Sequence, residues 1–217
     1  MMGLHLPARM LLPFFPLYLW VHELMPADFE EINGDIRRKL DEVMKSAPPP
    51  APNTIFQTAS DLHLSREFRR LNAFIKFATE KTLDFLNCEQ LPFEITGCWA
   101  NIGTPGAVHN EHSHPNNFLS GVYYVHAPDG ANTISFRDPR MQAHTITGKE
   151  RSPTMKTAST VTIDIKAGRM VLFPAWLLHR VERNKSDENR ISVSFNIMFT
   201  SYSSVVSKTK WMPRTAS

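Results

Sequence analysis

With 217 residues, the chain is long enough to bury a substantial hydrophobic core as one ordinary domain without disulfide bonds. Its hydrophobic fraction of 42% and charged fraction of 21% are typical of a folded globular protein and exclude a disordered chain. A formal net charge of +3, with no block of like charges, gives no support for a nucleic-acid-binding protein.

The apolar stretch MLLPFFPLYLWV at residues 10–21 is similar to the hydrophobic part of a signal peptide. Pro13 and Pro16 interrupt it, no small-x-small cleavage site follows, and it is too short to cross a bilayer. We therefore predict an edge strand with prolines at its start, in a cytoplasmic protein without membrane association. Cys88 and Cys98 form no CxxC motif, and we expect both to remain thiols.

Two segments have the 3.6-residue periodicity of amphipathic helices. The first covers residues 27–46 and is preceded by Pro26, which suits the first turn of a helix. The second covers about 65–86 and begins at Ser65. We interpret both helices as packing layers, and the SAPPPAPNT stretch between them as a stiff connector.

From about residue 93 onward, the sequence consists of short β-prone runs separated by Gly, Pro, Asn and Asp. These runs are EITGCWANI, FLSGVYYVHA, NTISF, TVTIDI, GRMVLF, LLHRVER and RISVSFNIMF. Many short strands at such spacing indicate an antiparallel sandwich or barrel. The polar segment 141–160 is too long for a plain connection, which leaves open whether it is a binding loop or lacks regular structure.

The segment HNEHSHP at residues 109–115 contains three histidines, and Pro115 argues against a helix there. In an extended chain, residues i and i+2 share a face, so His112 and His114 point the same way. His109 lies on the opposite face unless a β-bulge intervenes. The His112–His114 pair can occupy two adjacent positions on one metal ion, although a polar loop ahead of a strand explains the same residues.

Two further candidates lie near the C-terminal end of the β region. His179 ends an apolar run and is either a metal ligand or a histidine of the core. Arg190 and Ser192, again two residues apart, can present a guanidinium and a hydroxyl to one carboxylate. The alternative for Arg190 is a salt bridge with Asp187 or Glu188.

Taken in order, the motifs HSHP, LSGVYYV, FRDPR, LFPAWLLH and RISVSFN resemble the iron(II)- and 2-oxoglutarate-dependent dioxygenases. They resemble most a small group of bacterial and phage members, whose front is also similar to FFPLYLW, EEIN and CWANIG of this chain. The resemblance implies a mainly β, α+β protein whose core, at about 93–200, is a double-stranded β-helix (a jelly-roll or cupin-like fold). We expect one domain over residues 1–217, with 1–92 bracing the core through a strand and two helices, and 201–217 as a tail.

The resemblance also implies a metal site in which His112, His114 and His179 bind iron(II). The usual motif of the superfamily is His-x-Asp/Glu…His, so His114 stands where a carboxylate is expected, and three histidines also suit zinc. Asp138 in FRDPR is the nearest downstream carboxylate that could replace it, but the following Pro139 indicates a turn cap.

For the cosubstrate, the resemblance implies that Arg190 binds the distal carboxylate of 2-oxoglutarate with help from Ser192. Tyr124 should join them from an inward face shared with Ser120 and Val122, while Tyr123 faces the other layer. Asn101 in WANI is placed beside the cosubstrate.

The implied reaction consumes O₂ and 2-oxoglutarate, releases CO₂ and succinate, and most often hydroxylates a C–H bond. We expect a small-molecule substrate, no nucleic-acid or membrane partner, and an oligomeric state that is open, with a homodimer as one option. Two alternatives remain: a non-catalytic, cupin-like zinc-binding module, and a three-histidine dioxygenase that does not use 2-oxoglutarate. The Arg190-x-Ser192 pair favours the enzyme over the zinc-binding module, because that module gives the pair no purpose.

Overall fold

The computed structural model describes residues 15–203, apart from 147, 150, 153 and 156. Within this range the chain forms ten strands, two long helices and one helix of a single turn. The strands are β1 Trp20–Glu23, β2 Ile55–Gln57, β3 Phe93–Gly103, β4 His109–His112, β5 Leu119–His126, β6 Thr133–Arg137, β7 Thr160–Asp164, β8 Arg169–Pro174, β9 His179–Val181 and β10 Arg190–Phe199. The helices are α1 Pro26–Lys45, α2 Arg69–Phe85 and α3 Thr200–Ser203.

The strands form two antiparallel sheets that face each other. The large sheet has the order β1-β8-β5-β10-β3-β2, and the small sheet has the order β4-β9-β6-β7. An apolar core fills the space between them, and its fully or nearly buried residues include Tyr124, Ile134, Phe136, Val171, Phe173 and Leu177. This arrangement is the predicted double-stranded β-helix, so the mainly β fold class is confirmed.

The two long helices cover the outer face of the large sheet. Ile36 of α1 and Ile75 of α2 are fully buried there against Tyr123 and Phe195 of the sheet. Tyr123 also donates a hydrogen bond of 2.7 Å to Oδ1 of Asn33, which ties α1 to β5. The helices therefore act as packing layers, as their periodicity predicts.

The boundaries of several elements differ from the sequence prediction. The second helix begins at Arg69 rather than Ser65, because residues Arg66–Phe68 form a 3₁₀ turn ahead of it. Strand β1 lies at the edge of the large sheet, as predicted, but it covers only Trp20–Glu23, so residues 15–19, including Pro16, precede it and are not part of the strand. Residues 10–14 of the predicted stretch lie outside the described residues. Strands β2 and β4 were not predicted, because each is shorter than a recognisable alternating pattern.

Smaller expectations can also be compared with the structure. Both cysteines are free, Cys88 exposed and Cys98 buried, as expected for thiols. The segment between β6 and β7 contains a 3₁₀ helix at Met141–His144 and reaches β7 at Thr160. In the part of the chain that the structure describes, no helix is both long and apolar enough to cross a membrane.

A substitution at Gly121 tests how tightly the core beside Phe195 is packed. A methyl group there would lie only 2.3 Å from Cζ of Phe195, whose ring is fully buried. We expect Gly121→Ala to lower the free energy of unfolding by about 1–3 kcal/mol, the usual cost of overpacking a core. Urea denaturation measures the effect. The matched control is Gly148→Ala, whose methyl group would meet no described atom within 4 Å; equal midpoints for the two variants would contradict the prediction.

Candidate metal centre

Three histidines from different elements converge between the two sheets. His112 of β4 lies opposite His179 of β9, and the backbone N–H of His114 donates to the carbonyl oxygen of Ala175 at 2.8 Å. The ring centroids are 4.3 Å apart for His112 and His179, 5.0 Å for His112 and His114, and 5.2 Å for His114 and His179. One ring nitrogen of each lies within 4.8 Å of the others, so the three could hold one metal ion.

Backbone carbonyl groups set the tautomers of two of these rings. Nδ1 of His112 lies 2.7 Å from the carbonyl oxygen of Asn110, and Nδ1 of His179 lies 2.9 Å from that of Leu177. A carbonyl oxygen can only accept, so each Nδ1 carries the proton and each Nε2 keeps its lone pair. Metal-binding histidines are commonly oriented in this way.

Burial keeps the imidazoles of His114 and His179 neutral. Desolvation, with smaller contributions from His179, His112 and His109, lowers the pKa of His114 to about 3. Desolvation likewise lowers the pKa of His179 to about 4, with a smaller contribution from His112. Because a metal ion binds the neutral imidazole, the cavity holds these two side chains in their binding form at neutral pH.

His109 lies closer to the cluster than the alternation of a regular strand predicts. Its partner across the sheet is Val181, whereas the partner of His112 is His179, so β4 contains one extra residue between them. This β-bulge turns both rings to the same side, where they stack at 4.4 Å. The bulge that the sequence left open is therefore present, and it brings His109 to the side of His112, although His109 does not join the three-histidine group.

The carboxylates near the cluster are bound elsewhere. Asp138 accepts hydrogen bonds from the backbone N–H, Nε and Nη2 of Arg140, at 2.9, 2.9 and 2.7 Å. These bonds hold the pKa of Asp138 well below its usual range, and its predicted role as a turn cap is confirmed. Glu111 accepts a bond of 2.8 Å from Arg137. Within the described residues, no carboxylate replaces His114 in the cluster.

Three of the residues predicted to bind the cosubstrate lie in one row across the inner face of the large sheet, and the fourth, Arg190, lies two residues before Ser192, opposite Gly103. Ser192 of β10 lies opposite Asn101 of β3 on one side and opposite Tyr124 of β5 on the other. Tyr124 belongs to the core between the sheets and Tyr123 to the core under the helices, as the alternation predicts.

Arg190 and Tyr124 each bury a polar group that lacks a partner. Nη1 of Arg190 and the hydroxyl of Tyr124 are inaccessible to solvent and have no hydrogen-bond partner among the described residues. Desolvation lowers the pKa of Arg190 and raises that of Tyr124. The alternative salt bridge is not formed: no ion pair among the described residues joins Arg190 to Asp187 or Glu188, and Glu188 pairs with His126 instead. A buried donor without a hydrogen-bond partner lowers the stability of the folded protein, and one carboxylate could accept a hydrogen bond from each of these two groups.

Asn101 is held by neighbouring side chains. Its Oδ1 accepts a hydrogen bond from Gln57 at 3.1 Å, and its Nδ2 donates one to Oγ of Ser194 at 3.0 Å. Gln57, Ser194 and Trp99 were not predicted as site residues. Trp99 lies two residues before Asn101 on the same face of β3, so the period of the strand could have identified it.

Comparisons with known proteins agree with this geometry. The family model described as "Putative 2OG-Fe(II) oxygenase" matches residues 97–196. No curated protein matches the chain.

Three solved structures illustrate the shared fold. The non-heme alpha ketoglutarate dependent epimerase SnoN from nogalamycin biosynthesis has a TM-score of 0.60 at 14% identity, over 83% of this chain and 76% of its own. HygX from Streptomyces hygroscopicus, solved with nickel and 2-oxoglutarate, has a TM-score of 0.59 at 12% identity, over 85% and 83%. A prolyl-4-hydroxylase from Pseudomonas putida has a TM-score of 0.57 at 14% identity, over 84% and 92%.

At such identities the structural similarity establishes the fold, and the family model adds the segment that contains the histidine cluster and Arg190. Residues 97–196, a little under half of the chain, therefore match the family of 2OG-Fe(II) oxygenases, and the chain shares the fold of the three solved structures.

Proposed function

We propose that the protein is an iron(II)- and 2-oxoglutarate-dependent dioxygenase that hydroxylates a C–H bond of a small molecule. In this reaction the substrate gains one oxygen atom of O₂, and 2-oxoglutarate gains the other and becomes succinate and CO₂. One observation carries the proposal. Nη1 of Arg190 and the hydroxyl of Tyr124, near the histidine cluster, are both buried and have no hydrogen-bond partner among the described residues. His109 links this pair to the cluster, because it stacks on His112 and the charge of Arg190 helps to lower its pKa.

The metal ligands of this proposal are His112, His114 and His179. The two Nδ1–carbonyl hydrogen bonds leave Nε2 of His112 and His179 free for a metal, and burial keeps His114 neutral. Iron(II) bound there would supply the oxidative chemistry that uses O₂. The protein itself orients the ligands and excludes water.

The cosubstrate residues of this proposal are Arg190, Tyr124, Ser192 and Asn101. The guanidinium of Arg190 and the hydroxyl of Tyr124 would bind the distal carboxylate of 2-oxoglutarate, and the hydroxyl of Ser192 would assist. Asn101 lies in the same row as Ser192, although its amide is held by Gln57 and Ser194. A carboxylate would thus give the two buried donors the partner that they lack.

Two alternatives explain fewer observations. A zinc-binding module explains the three histidines, and the absence of a carboxylate from the described cluster favours it. A three-histidine dioxygenase without 2-oxoglutarate explains the same residues. Neither accounts for a buried guanidinium and a buried phenol hydroxyl that both lack a partner.

The substrate and its access are further parts of the proposal. SnoN is an epimerase, so hydroxylation is our choice among the outcomes found in this superfamily. We favour a small polar substrate in the cytoplasm, which enters near the exposed Trp176, next to the Ala175 carbonyl that binds the His114 backbone.

The metal assignment predicts which histidines are needed for iron(II) binding. His112→Ala, His114→Ala and His179→Ala should each weaken iron(II) binding by more than the roughly 10–100-fold that loss of an outer-shell partner costs. His109→Ala, the matched control, should keep the metal. Iron content after anaerobic reconstitution and desalting measures this. Full metal occupancy in His114→Ala, together with loss of the metal in His109→Ala, would show that His109 rather than His114 is the third metal ligand.

The cosubstrate assignment predicts a weak visible charge-transfer band when 2-oxoglutarate is added anaerobically to the iron(II) protein. Chelation through the carboxylate and ketone requires two open positions beside three protein ligands. Arg190→Ala should keep the metal but weaken 2-oxoglutarate binding by about 2–5 kcal/mol, as truncation of a buried charge pair does. Tyr124→Phe should cost about 0.5–1.5 kcal/mol.

Arg180→Ala is the control for this experiment, because Arg180 is exposed and paired with Glu182. It should leave the band unchanged. If the wild-type protein gives no band and binds zinc with every position filled, the zinc-binding module replaces the enzyme.

The lowered pKa values predict how acid affects the metal-free protein. Below pH 6.5 the histidines of the unfolded chain take up protons, whereas the folded pKa values are about 3 for His114 and about 4 for His179. Stability should therefore fall as the pH drops from 6.5 toward these values, by up to about 1.4 kcal/mol per unit for each histidine. Urea unfolding in EDTA measures it. His114→Gln should make the slope shallower, and an unchanged slope would refute the burial effect.

A further inference from the structure

Trp99 lies beside the histidine cluster on the inner face of β3. It is directly opposite Ser194 of β10 and two residues before Asn101. The centroid of its ring lies 5.8 Å from that of His114, with an interplanar angle of 49°. Trp99 is therefore a neighbour of the predicted metal ligand that replaces the usual carboxylate.

The indole N–H of Trp99 has no partner. Nε1 is inaccessible to solvent and forms no hydrogen bond with any described residue. A methyl group added at Gly97 would lie 3.5 Å from Cζ3, and Cζ3 and Nε1 lie on opposite sides of an indole. The N–H therefore points away from Gly97. A buried indole N–H normally has an acceptor, and it can only donate.

A second donor lies next to it. Oγ of Ser194 accepts a hydrogen bond of 3.0 Å from Nδ2 of Asn101, so the hydroxyl proton of Ser194 is available to donate. Residues directly opposite on antiparallel strands have Cβ atoms about 4.5–5.5 Å apart. Trp99 and Ser194 thus place two donors side by side on one face of the sheet, and neither donor has an acceptor among the described residues.

This place is distinct from the proposed site of the distal carboxylate. Nη2 of Arg190 packs beside Gly103, and Trp99 lies four residues earlier on β3, which is about 13 Å along a strand. Trp99 borders the cluster at His114, whereas Arg190 acts on it from the side of His109. The cosubstrate carboxylate at Arg190 therefore does not reach Trp99.

We propose that the indole N–H of Trp99 and the hydroxyl of Ser194 together bind an acceptor oxygen, a carbonyl or hydroxyl group, of the primary substrate. The inference rests on the proposed function, since it assigns the substrate side of that active site. It restricts the substrate to molecules with an oxygen acceptor close to the reacting C–H bond, and disfavours hydrocarbons.

The test uses ¹⁵N-tryptophan-labelled full-length protein, loaded with zinc and 2-oxoglutarate so that no turnover occurs. The sequence has four tryptophans, and the indole signal missing from Trp99→Phe assigns Trp99. The probes are cyclohexanone and methylenecyclohexane, which share a shape and differ by one acceptor oxygen. Cyclohexanone should shift the Trp99 indole proton, and methylenecyclohexane should not. Trp99→Phe and Ser194→Ala should each weaken cyclohexanone binding about three- to tenfold and leave methylenecyclohexane unaffected.

Trp20→Phe is the matched control. Its indole N–H is also buried without a partner, but it packs against Tyr18 and Phe85 near the edge of the sheet. It should leave both probes unchanged. The proposal is overturned if the two probes act alike, if neither moves the Trp99 signal at its solubility limit, or if 2-oxoglutarate alone moves it. A missing charge-transfer band in the iron(II) protein would instead refute the proposed function. Failure of the Trp99 proposal and failure of the proposed function are therefore distinguishable.

Discussion

The antiparallel pairing of β4 with β9 holds His112 opposite His179, and the geometry of the whole site depends on it. Both strands are very short, so their register needs support from outside the sheet. The His114 N–H bond to Ala175 and the reciprocal contacts between residues 106–107 and Asn184 supply it, because they fix both ends of the β4 segment against the chain around β9. The bulge within β4 then decides how many imidazoles face inward. A regular strand would present His112 and His114 only, whereas the bulged strand also presents His109.

The burial of Arg190 lowers the stability of the folded protein. A guanidinium buried without a counter-charge destabilises the folded state, because no carboxylate among the described residues offsets the loss of its hydration. The same holds to a smaller degree for the hydroxyl of Tyr124. Such violations of the usual rules of burial are concentrated where a protein binds something. In the proposed enzyme, an incoming carboxylate removes both costs at once, so the desolvated donors favour a dicarboxylate over a neutral ligand of similar shape.

The sequence was sufficient to predict what depends on strand period and residue type. The alternation of β5 correctly assigns Tyr123 to the helix side and Tyr124 to the space between the sheets. It could not predict the inward position of His109, because the cause is an extra residue that is defined only relative to β9. Nor could it predict that Asn101 would already be bound by Gln57, since that contact needs the three-residue strand β2 to pair with β3.

The charge balance of the site explains how three histidines suit the proposed reaction despite the missing carboxylate. Neutral imidazoles leave a divalent ion with its full charge of two, and Arg190 adds a third positive charge on the side of His109. The nearby carboxylates do not compensate, since Asp138 is bound by Arg140 and Glu111 by Arg137. A dianion such as 2-oxoglutarate, with one carboxylate on the metal and the other on Arg190, would neutralise most of this charge. Where the usual motif divides the negative charge between protein and cosubstrate, this chain would leave the balance to its ligands, and the metal should be held more tightly when the dicarboxylate is present.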